Sequence, residues 1–247
     1  IWQQYLESKI KLEPKGRVGR MLEAELLLEN SSPIACEWNL NSVKGGSVIK
    51  TTLTDKVDIS FKLSGRIDRV DIVSIPSEIK KQAIIDGAID EGHRWVIIRD
   101  LKNIEGPKVD KQGSRHRTAI FEEVQLALYA KAWELANPKD RVVGVGISEV
   151  GEVTRHFVEL DSSVSKYFDD IKIGIITNYT SNHFRFPNDT KTIPNIGFRA
   201  WMDERITTSA RAIHSAQQGN FHPTPCKQCF YCKSSGLSPS AELGGGQ

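Results

Sequence analysis

The spacing of apolar residues predicts one helix and two strands in the first third of the chain. Residues 16–29 place apolar side chains at helical intervals, and the Asn-Ser-Ser-Pro run at 30–33 is expected to end this helix. Apolar and polar residues alternate over 57–64, which is typical of a strand with one buried face. A second strand is predicted over 67–73, after the turn residue Gly65.

The middle of the chain predicts a strand, a loop and a helix in that order. Residues 76–93 form a polar insertion with some helical character. The short apolar run at 95–98 favours a central strand that is covered on both faces. Residues 103–117 are rich in glycine and charge, which predicts a loop, and 121–136 predict a helix that an Asn-Pro pair ends.

The last third predicts two more strands and two more helices. The strands are expected at 142–148 and 153–160, with a turn between them, and the helices at about 163–178 and 198–217. A cysteine-rich segment and a glycine-rich end come after them. The order of helix, strands, helix, strand pair and helices indicates an α/β domain.

Length and composition exclude several classes of protein. The chain has 247 residues, of which 39% are hydrophobic and 26% charged, so it is neither disordered nor fibrous. The longest apolar stretch, 142–147, contains two glycines and is too short to span a bilayer. Because the chain begins at Ile1 and shows no leader, we expect an intracellular fragment of a larger protein (cytoplasmic, nucleoid or nuclear) that is not secreted.

The charge distribution points to one anion-binding segment. The net charge of +2 is too small to indicate nucleic acid by itself. Residues 101–120, however, hold five basic and two acidic side chains. Such a loop can bind phosphates, although a solvated loop is the alternative. The candidate DNA-binding residues, with His116 among them, are Lys108, Lys111, Arg115 and Arg117.

Three residues have the composition of a metal-assisted hydrolytic site. Asp100 and Lys102 follow the apolar run and are two residues apart, so they project from the same face of a strand. If Asp68 lies on a neighbouring strand, two carboxylates converge beside one ammonium group. Carboxylate oxygens are the ligands that Mg²⁺ prefers. The alternative is a solvated strand end without chemistry.

Three motifs in order resemble the PD-(D/E)XK nuclease domain of the RecB and AddB type. They are Gly-Arg-Ile-Asp-Arg-Val-Asp at 65–71, Asp-Leu-Lys at 100–102 and Gln-Leu-Ala-Leu-Tyr at 125–129. The resemblance implies a restriction-endonuclease-like core, in which helices flank a central mixed sheet.

The resemblance also implies how the chain is divided. A nuclease-like domain is expected over 1–225, with a core at about 16–160 and a helical extension over 161–225. The C-terminal helices of that extension lead to a cysteine segment and flexible tail over 226–247.

The family assigns a role to each matching residue. Asp68, Asp100 and the backbone carbonyl of Leu101 would bind Mg²⁺ or Mn²⁺, and Lys102 would be the catalytic lysine. Gln125 and Tyr129 would border the site and position DNA. Without the resemblance, those two would be interpreted as a surface glutamine and a half-buried tyrosine.

Two departures from the family pattern leave a second function open. The family often carries a metal-binding histidine on its first helix, where this chain has Arg20, and Glu23 or Glu25 would have to help bind the metal instead. Asp68 and Asp100 are 32 positions apart, which is more than a short hairpin needs, and the insertion at 76–93 is expected to absorb the extra length. A catalytically inactive domain that binds DNA or acts as a scaffold is therefore the alternative to a nuclease.

The cysteines predict a second metal centre. Cys226, Cys229 and Cys232 have two-residue spacings that let neighbouring thiolates face one metal. A [4Fe–4S] cluster of the kind found in some RecB/AddB-type nucleases, a zinc ion and no metal at all remain open. Cys36 is the fourth candidate ligand, although a buried thiol is the expectation for it.

The interpretation is a metal-dependent deoxyribonuclease, an exonuclease from a DNA-repair or recombination protein. The sequence has no phosphate-binding Gly-x-x-x-x-Gly-Lys-Ser/Thr loop, so a helicase activity would belong to another part of the parent chain or to a partner subunit. The third possibility is a zinc-containing interaction domain without a role on DNA.

Overall fold

The computed structural model divides the chain into two compact units, residues 1–210 and 211–247. Of the second unit, the structure describes only the end of the last helix. The predicted boundary at residue 225 lies outside the described residues and stays a prediction. The described residues are 17–41, 48–53, 56–104, 120, 123–151, 154–177, 184–185, 192–193 and 197–219.

The first unit is built on a six-stranded sheet with the order β1-β4-β5-β6-β7-β8. β5 pairs with β6 and β7 with β8 in parallel, while β1–β4, β4–β5 and β6–β7 are antiparallel. Two small sheets pair β2 with β3 and β9 with β10. The strands are β1 Ser31–Asn39, β2 Val48–Thr52, β3 Asp58–Lys62, β4 Arg66–Val73, β5 Arg94–Ile104, β6 Asp140–Gly151, β7 Arg155–Leu160, β8 Ile175–Ile176, β9 Phe184–Arg185 and β10 Thr192–Ile193.

Helices flank the sheet, which confirms the predicted α/β class. None of the helices in the described part of the chain is long and apolar enough to cross a membrane. Two short 3₁₀ turns, Leu26–Leu28 and Ser165–Tyr167, complete the regular structure. The helices are α1 Arg17–Glu25, α2 Ser77–Ile85, α3 Val124–Ala136 and α4 Gly197–Gln217.

β5 divides the core into two layers because both of its faces are apolar. Val96 and Ile98 pack with side chains of α3 and α4, whereas Trp95 and Ile97 pack with Ala83 of α2 and with apolar residues from 164–173. All four strand side chains are almost completely buried. The prediction of a central strand covered on both faces is therefore confirmed.

The insertion between β4 and β5 behaves as predicted. Residues 77–85 form α2, and Ala83 places the helix on the core. The insertion thus lengthens the connection without interrupting the antiparallel pairing, in which Val70 lies opposite Ile98.

The first predicted helix is present, but the segment after it differs from expectation. The helix ends at Glu25 and a 3₁₀ turn ends at Leu28, after which Ser31 begins β1. No pattern in the sequence indicates β1, because this edge strand is mostly exposed and carries no alternating apolar residues. β3 also differs in position, because it pairs with β2 and not with the main sheet.

The helix predicted over 163–178 is wrong. Val164, Phe168 and Ile171 have helical spacing and are buried, but only a 3₁₀ turn and β8 form there. The Asp161 carboxylate accepts hydrogen bonds from the backbone N–H and the hydroxyl of Ser163, which favours a turn. The helices predicted over 121–136 and 198–217 are present, and so is the strand pair between them.

Candidate active site

The pairing of β4 with β5 brings Asp68 and Asp100 to the same face of the sheet. Val70 lies opposite Ile98, and each aspartate is two residues away from one of these on its own strand. Side chains two residues apart share a face, so both carboxylates point toward the layer that contains α3. Lys102, two residues beyond Asp100, extends the same row.

Hydrogen bonds fix the two carboxylates. Asp68 accepts a hydrogen bond from the backbone N–H of Leu101 at 2.8 Å, which ties β4 to β5. The ammonium group of Lys102 lies 2.5 Å from the Asp100 carboxylate. The Asp100 side chain is only 9% exposed and that of Lys102 is 35% exposed, so the ion pair is sheltered but reachable from solvent.

The local environment perturbs the protonation of this pair. Burial is the largest influence on Asp100 and raises its pKa, the Lys102 ammonium opposes that effect, and the charge of Asp68 raises the pKa further. Burial alone would lower the pKa of Lys102, but the neighbouring Asp100 carboxylate outweighs it and the pKa of Lys102 is raised. The site therefore holds a cation beside two carboxylates that repel each other.

These residues fit a hard divalent cation. Asp68 and Asp100 offer carboxylate oxygens, and the backbone carbonyl of Leu101 adds a third oxygen on the same strand as Asp100. Mg²⁺ is commonly bound through one or two carboxylates, with water and phosphate as its other ligands. In the described part of the chain, no group of three or more His, Cys, Asp or Glu side chains is placed to hold a metal ion.

Gln125 and Tyr129 lie next to this site on α3. They are one helical turn apart, and the Gln125 amide donates a hydrogen bond to the Tyr129 hydroxyl at 2.9 Å. The Tyr129 hydroxyl lies 3.7 Å from the position that a Cβ on Gly65 would take, at the start of the motif that contains Asp68. Burial raises the pKa of Tyr129 above its ordinary value, and the charges of the two aspartates add to that effect, so the phenol stays protonated.

The three residues of the first helix that were considered for a role at the site, Arg20, Glu23 and Glu25, have different surroundings. Arg20 donates a hydrogen bond from Nε to the carbonyl of Gly151 at 2.7 Å, which joins α1 to the end of β6. Glu23 lies on α1 and is exposed. Glu25 forms two hydrogen bonds, of 2.5 and 2.8 Å, to the guanidinium of Arg69. Glu25 is therefore committed to an ion pair with Arg69.

Sequence reasoning missed a set of charged residues behind the two aspartates. Arg69 and Arg99 are the chain neighbours of Asp68 and Asp100, so they point to the opposite face of the sheet. Both share the carboxylate of Asp71, which is completely buried. A signal was present, because Arg69 and Asp71 are two further charged positions of the motif at 65–71.

Several candidates lie outside the described residues. They are the basic residues Lys108, Lys111, Arg115 and Arg117 and the cysteines Cys226, Cys229 and Cys232. Cys36 is described and is an exposed free thiol on β1, so the expectation of a buried thiol is wrong. Its exposure results from the position of β1 at the edge of the sheet.

Comparison with known proteins gave one family match. The model of the PD-(D/E)XK nuclease superfamily matches residues 2–237, which is almost the whole chain. The six-stranded mixed sheet with flanking helices agrees with the restriction-endonuclease-like fold that this match implies. A search of curated proteins found no match.

Proposed function

The chain belongs to the PD-(D/E)XK nuclease superfamily, and from that premise we propose that it is a metal-dependent DNA nuclease that hydrolyses phosphodiester bonds. One observation carries the proposal: Asp68, Asp100 and Lys102 share one face of two paired strands, with the lysine 2.5 Å from the Asp100 carboxylate. Two carboxylates and a lysine are side chains suited to metal-assisted hydrolysis of a phosphodiester.

The two aspartates and the carbonyl of Leu101 would hold Mg²⁺ or Mn²⁺. When bound, the cation supplies charge stabilisation at the phosphate and lowers the pKa of a water molecule. The backbone N–H of Leu101 orients Asp68, and Lys102 orients Asp100. These contacts fix the oxygen ligands before a substrate arrives.

Lys102 has a second task in this proposal. Its raised pKa keeps the ammonium protonated at neutral pH, so the side chain offers a fixed positive charge. Negative charge develops on the phosphate oxygens during attack, and a preoriented cation stabilises it. Gln125 and Tyr129, which are hydrogen-bonded to each other, border the site and would position the DNA strand.

The finer assignment is based on the RecB and AddB resemblance. We propose an exonuclease from an intracellular DNA-repair or recombination protein, with a helicase domain or subunit as its partner. Cys226, Cys229 and Cys232 would hold a [4Fe–4S] cluster, with zinc as the alternative, and Cys36 is the candidate fourth ligand. The loop with Lys108, Lys111, Arg115 and Arg117 would bind DNA phosphates.

The proposal is tested by DNA cleavage with the purified chain. Linear single- and double-stranded substrates are incubated with Mg²⁺ or Mn²⁺, and the Asp100→Asn variant is compared with wild type. We expect metal-dependent cutting that falls at least ~100-fold in the variant, because a neutral amide binds the cation poorly. The matched control is Asp90→Asn, which removes a carboxylate that is 91% exposed. Equal cutting by wild type and Asp100→Asn would exclude this site.

The second candidate function is a catalytically inactive DNA-binding or scaffolding module. The observation that favours it is Arg20, which stands in the sequence where the family often has a metal-binding histidine and which donates a hydrogen bond to the carbonyl of Gly151. Absence of cutting by wild type, with DNA binding retained, would establish this alternative. Restoration of cutting by Arg20→His would then identify the cause.

A further inference from the structure

A buried ion cluster lies directly behind the proposed catalytic aspartates. It consists of Glu25, Arg69, Asp71 and Arg99, and we call it the rear cluster. Asp71 accepts a hydrogen bond from Arg69 Nε on one carboxylate oxygen at 2.6 Å and from Arg99 Nε on the other at 2.7 Å. Arg69 also holds Glu25 with its two terminal nitrogens. One carboxylate therefore joins β4 to β5 on the side opposite the site.

The rear cluster is electrically balanced, and three of its four side chains are almost free of solvent, whereas that of Glu25 is 26% exposed. The side chains of Arg99 and Asp71 are both 0% exposed, and that of Arg69 is 7% exposed. Two guanidinium groups face two carboxylates, so no net charge is buried. The Asp71 carboxylate accepts a further hydrogen bond from the Ser31 hydroxyl at 2.8 Å, and Arg99 donates to the carbonyl of Ile173 at 2.7 Å.

Its position on the strands relates it to the site. Arg69 and Arg99 lie opposite each other in the β4–β5 pairing, and each is the chain neighbour of a site aspartate. Asp68 and Asp100 carry like charges on the front of the same two strands, so they repel each other. The rear cluster bridges the strands at that level, so it opposes any widening that the repulsion would cause.

Stability alone does not account for such a cluster. Apolar side chains of similar volume stabilise a buried layer as well as, or better than, an ion pair does, because they need no desolvation of charge. The rest of the same layer is in fact apolar, with Ile97 and Val158 completely buried. Directed hydrogen bonds, unlike apolar contacts, hold two strands at one spacing and one register.

We propose that Asp71 and Arg99 are positioning residues for the nuclease site, and that the rear cluster sets the separation of Asp68 and Asp100 that a divalent cation requires. This inference rests on the proposed nuclease function. Glu25 and Arg69 extend the same constraint to α1, so the end of that helix is fixed relative to the site. Neither positioning residue contacts the substrate.

The decisive variant replaces both partners at once. Asp71→Asn combined with Arg99→Met removes one negative and one positive charge together, whereas either substitution alone would leave the core unbalanced. The matched control is Arg94→Met, which removes another ion pair of β5, the one with Asp140 at 2.6 Å, far along the strand from the site. Three quantities are measured for each protein: the Mn²⁺ dissociation constant by electron paramagnetic resonance, the single-turnover cleavage rate at saturating Mn²⁺, and the melting temperature.

We expect the double variant to bind Mn²⁺ about tenfold more weakly and to cut at least about tenfold more slowly at saturating Mn²⁺. The Arg94→Met control is expected to change only the melting temperature. Metal affinity and rate within about twofold of wild type in the double variant would overturn the inference while leaving the nuclease intact. Wild type that neither binds Mn²⁺ nor cuts would overturn the proposed function, and the inference with it.

If the double variant does not fold, the single variant Arg99→Lys tests whether the rear cluster positions the site. Lysine keeps the buried charge, but its single nitrogen cannot reproduce the separate hydrogen bonds of Arg99 to Asp71 and to Ile173. We expect a folded protein whose Mn²⁺ affinity and saturated rate both fall about threefold or more. Unchanged values in this folded variant would overturn the inference.

Discussion

At the scale of single residues, neighbours on one strand perform opposite tasks. Asp68 and Asp100 face the layer that contains α3, while Arg69 and Arg99 face the buried layer on the opposite side of the sheet. This separation is a direct result of the two-residue period of a strand. It allows a site that needs repelling carboxylates to be supported by attractive charges only one residue away.

His156 lies beside the rear cluster and makes stability sensitive to acid. Burial, and then the charge of Arg99, lower the pKa of His156 to about 4, against about 6.5 in an unfolded chain. The depressed pKa means that the unfolded state takes up the proton first as the pH falls. His156 therefore contributes stability above about pH 6.5 that is lost between about pH 6.5 and 4, roughly 3 kcal/mol in total.

Urea unfolding at several pH values between about 7 and 4 tests this expectation. The free energy of unfolding of wild type should fall over that window, and His156→Gln should lose most of the slope. His93→Gln, which makes the same change at a more exposed imidazole, is the matched control. A slope that is the same in wild type and in His156→Gln would refute the assignment.

The sequence predicted the residues on the α3 side of the sheet better than those on the opposite side. Asp100 and Lys102 come directly after an apolar run. Charged side chains in that position are unusual enough to indicate a chemical role. Arg99 lies within the same segment, and nothing in its neighbours indicates that it is completely buried. Its partners are 28 and 74 residues away in the chain, so only the fold brings them together.

At the scale of elements, β6 and β7 pair so closely that one position of β6 has to be a glycine. A Cβ on Gly146 would lie 2.2 Å from the carbonyl oxygen of Phe157, a backbone atom that cannot move without displacing β7. The same Cβ would lie 3.5 Å from Nη1 of Arg99, which is an ordinary van der Waals contact, so the close approach is to the β7 backbone.

Gly146→Ala is therefore expected to lower the free energy of unfolding by at least ~2 kcal/mol, within the range for overpacking of a core. The measurement is urea unfolding monitored by tryptophan fluorescence. Gly87→Ala is the matched control: it meets no atom within 4 Å, and its positive φ of 68° limits the cost to ~1 kcal/mol. A smaller effect at Gly146 than at Gly87 would contradict the close approach of the strands.

Element prediction succeeded for the strands β4 and β5 and failed for residues 163–178. The apolar residues at 67–73 and the continuous apolar run at 95–98 predicted β4 and β5, because both strands have strongly buried positions. Residues 163–178 carried a helical pattern, yet their apolar side chains reach the core from an irregular backbone. Gly174, at φ 113°, is one reason, since a residue with that positive φ is incompatible with a continuing helix.

At the scale of the whole molecule, a net charge of only +2 implies that DNA affinity depends on local charge. The basic segment at 101–120 begins at the proposed site, since it includes Lys102, and ends shortly before α3, which carries Gln125 and Tyr129. A segment in that place can contact phosphates on both sides of a bound strand.

Lys111→Ala combined with Arg115→Ala is expected to weaken DNA binding and to flatten its dependence on salt. Loss of two phosphate contacts on a duplex reduces the magnitude of the negative slope of log binding constant against log salt concentration by roughly 1.8. Fluorescence anisotropy at several salt concentrations measures this slope. The control, Lys80→Ala with Lys81→Ala, changes the same net charge on α2, which packs against the other face of the sheet. An unchanged slope in the loop variant would exclude these two residues from the DNA contact.

β5 pairs antiparallel with β4 and parallel with β6, and we expect these two pairings to form at different stages of folding. β4 and β5 are joined by a connection that contains α2, whereas β6 reaches its parallel partner after a longer crossover that contains α3. Closing the longer loop loses more chain entropy, so we expect the antiparallel pair to form first. The two site carboxylates would then meet early in folding, before β6 covers the other edge of β5.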